Sequence, residues 1–384
     1  MEITMHRRDV LRLAGGGFIA AAVPTLVGCD TTLPDAAVAA WRGPGAEADP
    51  RRWILAHAIL APHSHNLQSW LVDLREPDTV VLRLDLQRLL PDTDPRSRQM
   101  VMSQGTFLEL LDLAARERGL RAEIVPFPDG PFEDRRPDHR PTARVRLVPD
   151  ASLEPDPLFR QVFARRTNRA AYDGRAPSAE ALTAMRAAAA GLPVTVGFSD
   201  AGRADAHRRI AADAWRIELT TPRVLLETYR WLRIGPEEIK RHRDGLSLND
   251  PMVRALTAAG LFDRTKPSAP DSREIRGQIR DFERALASTP SFHWMTSRDN
   301  TRLTQLAAGR AWVRVQLAAT AHGVAMHPMQ QALQEYPEQA LPYAAIHRLV
   351  GAPGETVQMW ARVGYGPAVG PSPRRGVDAH LTTA

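Results

Sequence analysis

Apolar positions along this chain recur at two periods, and the alternation between them sets out the elements. A spacing of three and four residues marks helices over about 50–61, 98–118, 157–165, 178–190, 203–232, 250–262 and 301–322. Short alternating or β-branched runs mark strands over 69–74, 79–85, 122–127, 143–148, 194–198, 291–296 and 356–363. Glu76-Pro77-Asp78 supplies the turn between the first two strands, and Gly119 stops the helix that begins at Arg98. Residues 62–66 read as a polar loop, 128–141 as a Pro-rich loop, and 264–274 as a mobile polar insertion before a further helix.

The pattern repeats. Arg98, Gly105, Leu113-Ala114-Ala115 and Gly119 return as Arg302, Gly309, Leu317-Ala318-Ala319 and Gly323, each 204 positions later. The match extends past the stop signal into Leu120-Arg121-Ala122 and Val324-Ala325-Met326. A helix with its terminator and following strand has been duplicated. Two glycine-bearing helices, one per half, are expected to pack closely, as in a dimer made from one chain. The fold class is α+β, with two fused α/β halves, residues 50–150 and 151–376, and antiparallel or mixed sheets.

Before the first half, the chain opens on Arg7-Arg8-Asp9-Val10-Leu11, a short apolar stretch, and Leu26-Val27-Gly28-Cys29. This is the layout of a signal peptide of the twin-arginine type over residues 1–29, ending in a lipobox. Cys29 is the only cysteine, which excludes an intrachain disulfide framework and fits a residue kept for lipidation. Gly15 to Gly17 and Pro24 interrupt the run, which is short for a bilayer span. Expected partners are the twin-arginine translocase and, through the N-terminal lipid, the membrane. The expected location is the periplasmic side of the cytoplasmic membrane. Residues 30–49, small and aperiodic, read as a tether, and 377–384 as a tail.

Composition adds bounds. Hydrophobic residues make up 43% and charged residues 24%, as in ordinary globular proteins. The net charge of +6 comes from arginines interleaved with acids along the whole chain, Lys240 and Lys266 being the only lysines. That is a solvated surface rather than a nucleic-acid stripe. No Ser-His-Asp set, HExxH or paired carboxylates stand out. His63 and His65 lack the acid or cysteine pattern of a metal site, and none is expected. No GxGxxG follows a strand, so a dinucleotide fold is not indicated.

Four segments carry candidate chemistry. Arg165-Arg166-Thr167-Asn168-Arg169 follows a helix and offers guanidinium forks beside a hydroxyl, groups suited to a terminal phosphate or to a water-facing helix end. Pro62-His63-Ser64-His65-Asn66-Leu67-Gln68-Ser69-Trp70 carries amides able to read a heterocycle edge, or to make an ordinary Asx turn. The others are His322-Gly323-Val324-Ala325-Met326-His327-Pro328-Met329-Gln330 and the end of the chain, Gly364-Tyr365-Gly366-Pro367 followed by Arg374-Arg375.

Taken in order, these segments resemble the nitroreductase family of flavin enzymes, and more closely its fused, double-length branch. Asn66-x-Gln68-x-Trp70 is similar to the family's Asn-x-Gln-Pro-Trp, with Ser69 for the proline. Arg165-x-Thr167-x-Arg169 is similar to its Arg-x-Ser-x-Arg/Lys. The resemblance spans about residues 50–376 and implies noncovalent FMN. Its phosphate would meet Arg165, Arg169 and Arg374 or Arg375. Arg166 and Thr167 would reach the ribityl chain or pyrimidine edge. The loop His63, Ser64, His65, Asn66 and Gln68 would come from the other half, and Pro328, Met329 and Gln330 would lie by the isoalloxazine. The implied activity is two-electron hydride transfer through flavin N5, between a small-molecule donor and a nitroaromatic or quinone acceptor. A flavin-sequestering lipoprotein with little turnover and a cofactor-free exported scaffold are the alternatives. No catalytic side chain is singled out, because the flavin carries the chemistry.

Overall fold

The computed structural model describes residues 32–199 and 201–382, so the twin arginines and Cys29 lie outside the described residues. Strands β1 (Trp70–Asp73), β2 (Thr79–Leu84), β3 (Leu120–Pro126) and β4 (Pro141–Pro149) form one sheet in the order β1-β2-β4-β3. Strands β5 (Thr195–Phe198), β8 (Ser291–Ser297), β9 (Ala325–Pro328) and β10 (Thr356–Gly364) form a second in the order β5-β8-β10-β9. Both sheets are antiparallel throughout. Their connectivity is the same if β5, β8, β9 and β10 stand for β1, β2, β3 and β4. Each half places its long helix, Arg98–Arg116 or Arg302–Ala321, between its second and third strands. The duplication legible over one helix therefore extends to the whole of each half.

The two long helices cross at their glycines. A Cβ on Gly309 would stand 1.9 Å from the Met102 carbonyl oxygen, and one on Gly105 would stand 2.0 Å from that of Leu306. Only a residue without a side chain permits this approach. The seam is also ionic. Glu109, about 1% exposed, receives Arg310 at 2.7 Å and Arg314 at 2.7 Å, and Arg314 continues to Asp156 at 2.9 Å. The repeated arginines exchange reciprocally. Arg98 donates to the Leu333, Val357 and Gln358 carbonyls of the second half, and Arg302 to those of Glu133 and Asp134 in the first.

The second half carries an insertion between β5 and β8. The helical reading of 203–232 breaks at Thr221-Pro222, giving helices Ala204–Thr220 and Pro222–Arg230. Proline lacks the N–H that would continue the first helix. Leu232–Ile234 (β6) and Leu246–Leu248 (β7) then pair in parallel, a contact that the sequence did not indicate. The 264–274 segment is tied down rather than loose. Arg264 donates to the Leu232 carbonyl at 2.9 Å, and Ser268 links the Tyr229 hydroxyl to Glu274.

The tether reading of 30–49 is corrected. Residues Asp35–Val38 form one α turn and Ala39–Arg42 a 3-10 turn, Ala37 is fully buried, and Arg374 N donates to Ala37 O at 2.9 Å. The tail is docked as well. Leu381 bridges Val72 at the edge of β1, and His380 is 1% exposed.

One buried acid predicts a pH effect. Glu218 accepts from Gln334 Nε2 at 2.8 Å, and burial pushes its carboxyl up to about 7. The unfolded chain ionises it from near the ordinary value of 4.5 while the folded chain keeps it protonated. This contribution to stability is thus complete below pH 4.5 and is lost as pH rises through 7. Glu218→Gln should leave the melting temperature near that of the parent at pH 5 and raise it at pH 8, by about 2 kcal/mol of stability. Equal melting shifts at the two pH values would refute this role.

Candidate cofactor site

The chain enters the site from a 3-10 turn, Pro157–Gln161, capped by Asp156, whose carboxylate accepts from Leu158 N at 3.0 Å. Arg165 follows and is 2% exposed. It donates to Gln316 Oε1 at 3.2 Å and to Leu60 O at 3.0 Å, and its Nε has no partner. Arg374 arrives from the C-terminal segment and is 3% exposed. It donates to the adjacent carbonyl, Ala61 O, at 3.1 Å, to Ser372 Oγ at 2.9 Å and to Asn66 Oδ1, and its Nε is likewise unpaired. Arg166 bonds the Phe163 carbonyl at 2.8 Å.

These three guanidiniums surround Trp41, with centroid distances of 5.7 Å for Arg165, 4.4 Å for Arg166 and 5.4 Å for Arg374. Among the described residues none of the three has an ion pair. Desolvation, with Arg166 beside it, pulls Arg165 down to about 9, and burial with Arg165 and Arg166 nearby lowers Arg374 strongly. Buried charge without a counter-charge is costly, so this cluster fits an anion.

Arg169 does not join them. Its side chain is exposed, yet protein surrounds it closely enough that desolvation lowers its pKa, with Arg362 adding to the effect. Arg169 in turn depresses His65, which burial takes down to about 4, and His327. Arg169 therefore stands near both the His65 loop of the first half and the His327 strand of the second, and Asn168 N, beside it, donates to Met326 O at 3.0 Å. Arg362, fully buried, donates from Nε to His327 Nδ1 at 3.0 Å and stacks over Tyr172 at 4.2 Å. Arginine Nε is always a donor, so neutral His327 carries its proton on Nε2.

The loop from 62 to 69 is strained. His65, Asn66 and Gln68 have φ of 47°, 54° and 55°. Three non-glycine residues in the left-handed region within four positions need surrounding structure to hold them. His63 supplies part of it, donating from Nδ1 to Ser64 O at 2.8 Å and accepting from Ser69 N at 3.1 Å. Burial holds His63 neutral, taking it down to about 3. Ser64 Oγ donates to Gln99 Oε1 at 3.3 Å, and His65 Nε2 meets Thr228 Oγ1 at 3.3 Å.

The amides expected to read a ring edge are engaged elsewhere. Asn66 Nδ2 donates to Gly245 O at 3.2 Å and to Pro373 O at 3.1 Å. Gln68 is fully buried; its Nε2 donates to Arg243 O at 3.0 Å and its Oε1 accepts from Arg375 N at 2.9 Å. Both fasten the C-terminal segment and the insertion onto the first half. Arg375 also bonds the Gln68 carbonyl. Met329 N donates to Trp360 O at 2.7 Å, Gln330 is pinned across β10, and Pro328 sits opposite Ala361. Thr167 is half-buried beside the arginine cluster, and its hydroxyl has no hydrogen bond among the described residues. Sequence reasoning missed Trp41, Gln316 and Arg362 as site residues, and it placed His327 in a candidate segment without giving it a role. A lone tryptophan in an otherwise small, polar lead-in was the one available signal.

Two halves are clasped through their central helices, and a cluster of three arginines gathers around Trp41 where they meet. Proteins named "Putative NAD(P)H nitroreductase" in Mycobacterium tuberculosis strains CDC 1551 / Oshkosh and ATCC 25618 / H37Rv are 30% identical over 359 residues, covering 87% of this chain and 93% of theirs. The chain belongs to the nitroreductase family. No family model matches it. Similar solved structures include the FMN-dependent nitroreductase NfnB of Mycobacterium smegmatis in complex with NADPH, at 18% identity and TM-score 0.34. That match covers 54% of this chain and 86% of NfnB. A nitroreductase structure from Anabaena variabilis has 11% identity and TM-score 0.40, over 75% of this chain and 69% of its own.

Proposed function

We propose that the chain is an exported, FMN-dependent oxidoreductase of the nitroreductase type. The observation that carries this reading is the carboxylate-free cluster of Arg165, Arg166 and Arg374. Its two buried, unpaired Nε atoms suit a phosphate dianion, and Thr167 adds a free hydroxyl. FMN would supply hydride transfer between a reduced donor, such as the NAD(P)H in the relatives' names, and a nitroaromatic or quinone. The chain's residues bind and orient. Arg165 and Arg374 neutralise the phosphate. Arg169 brings a positive charge to the junction of the His65 loop and the His327 strand, and His327, held neutral, offers Nε2–H as a donor. The insertion, through Thr228 and Gly245, closes over the His65 loop and excludes water.

The test is the visible spectrum of the purified protein. FMN gives a band near about 450 nm that bleaches with reductant and returns with a quinone. A colourless protein that takes up no FMN would overturn the reading. A band that bleaches but does not return with any acceptor would favour the flavin-sequestering alternative. Released flavin should equal one per chain. The first half repeats neither arginine set, since Pro149-Asp150-Ala151 follows β4, and the second half has Gly191-Leu192-Pro193 where the first has its Asn-Gln loop.

The location is proposed from the leader. Changing Arg7 and Arg8 to Lys should hold the protein in the cytoplasm, and Cys29→Ala should leave it exported and unlipidated. Fractionation and lipid labelling read both. An unchanged distribution of the two variants would remove the export reading.

A further inference from the structure

The segment before the first half is fastened to the site at several points. Thr32 O accepts from Asn249 Nδ2 at 2.8 Å, Ala37 O accepts from Arg374 N at 2.9 Å, and Trp41 Nε1 donates to Ser372 O at 2.8 Å. Ala37 is fully buried. These bonds run to the insertion and to the short C-terminal stretch that presents Arg374. The indole they position is the group against which Arg165, Arg166 and Arg374 all lie. On their other side these guanidiniums reach Leu60 O, Ala61 O and Gln316. The anion subsite therefore has an inner wall of carbonyls and an outer wall made of Trp41.

We propose that residues 35–42 form a strap whose Trp41 closes the phosphate end of the site, retaining a mononucleotide and refusing one extended beyond its phosphate. This rests on the FMN reading above. The ring acts in two ways. Its π face spreads the mutual repulsion of three guanidiniums and holds their planes in place for an anion. Its bulk, bonded at Nε1, stands where a diphosphate-linked adenosine would have to leave the subsite. Release of a bound phosphate then requires the Ser372 and Ala37 bonds to break first. In an exported protein this has a use, because a cofactor inserted before export is not readily replaced afterwards. The strap is also the stretch that joins the fold to Cys29, three residues before Thr32. Anchor and closure are one segment.

The experiment measures FMN dissociation from the holoprotein, together with the affinities of the apoprotein for FMN, FAD and riboflavin, in the parent and in Trp41→Ala. In the variant, FMN should leave about tenfold faster or more, and the preference for FMN over FAD should shrink by a similar factor. Riboflavin, which lacks the phosphate, should bind both proteins alike. Trp41→Leu keeps apolar bulk without a π face and should show the same faster release. If the alanine protein does not accumulate, the leucine variant decides. An unchanged FMN release rate and FMN:FAD ratio in either folded variant would overturn the strap while leaving FMN binding intact. Equal loss of FMN and riboflavin would also overturn it, since the ring would then serve general packing. A parent protein that binds no FMN would instead remove the proposed function on which the strap depends.

Discussion

Gly309→Ala is expected to unfold this protein or to lower its stability by about 4 kcal/mol or more. In an exposed helix the same change gains up to about 1 kcal/mol, because alanine is the better helix former. The sign reverses here because the new methyl would stand 1.9 Å from the Met102 carbonyl oxygen and 2.9 Å from its Cα. These are backbone atoms of the opposite central helix, so no rotamer change relieves the clash. The helices must move apart, and Gly105, pressed on Leu306 in the same crossing, moves with them. Separation also stretches the bonds from Arg310 and Arg314 to buried Glu109. Gly370→Ala is the control. Nothing lies within 4 Å of its Cβ position, and its stability should stay within about 0.5 kcal/mol of the parent. Urea unfolding of the two variants settles the matter. A Gly309→Ala protein with the parent's midpoint would mean that the crossing is wider than described.

Arg374→Ala should weaken FMN binding about a hundredfold or more, with a far smaller effect on riboflavin. A charge-assisted hydrogen bond contributes roughly 1.5–3 kcal/mol, and each 1.4 kcal/mol is a factor of ten. Arg374 adds a positioning effect, since it also binds Asn66 Oδ1 and Ala61 O and carries the backbone bond to Ala37. Melting of the apoprotein should change little, because two effects oppose. The variant keeps the backbone bond to Ala37 and loses the side-chain hydrogen bonds, but it also loses a buried charge that Arg165 and Arg166 crowd. Arg374→Lys keeps a charge but not the planar fork, and should fall between the two. Titration by flavin fluorescence checks all three proteins. Equal losses for FMN and riboflavin would show that Arg374 supports the fold around the site rather than the phosphate.

Much of the architecture was legible because it is written locally. Helix periodicity with Gly119 and Gly323 as stops bounded both central helices, and the 204-residue offset pointed to the duplication before any contact was known. Gly105 and Gly309 were readable as close-approach positions, since each interrupts an otherwise strong helix former. The site was half legible. Side-chain type gave an anion preference to Arg165, the resemblance gave one to Arg374 or Arg375, and Arg165 and Arg374 lie in the buried cluster. Type could not give direction. Arg169, four residues after Arg165, stands near His65 and His327 instead, because Asn168 N bonds Met326 O at 3.0 Å. Gln68 looked like a ligand and proves to be a buried fastener for a backbone amide 307 positions away.

What the sequence determined by itself was the inventory. It contained two copies of a helix with its stop and following strand, a glycine in each of those helices, and an arginine-rich segment at 165–169. The tertiary structure decided the assignments. It packed a segment that read as a tether against the arginine cluster through Trp41, and tied the 264–274 insertion to Leu232, Tyr229 and Glu274. Among the described residues it also left Arg165, Arg166 and Arg374 without an acidic partner while pairing Arg310 and Arg314. The physical reason is separation along the chain. Trp41 Nε1 and Ser372 O are 331 residues apart, and no local propensity records a bond of that span. Its energy exists only after both halves have packed and water has been excluded between them.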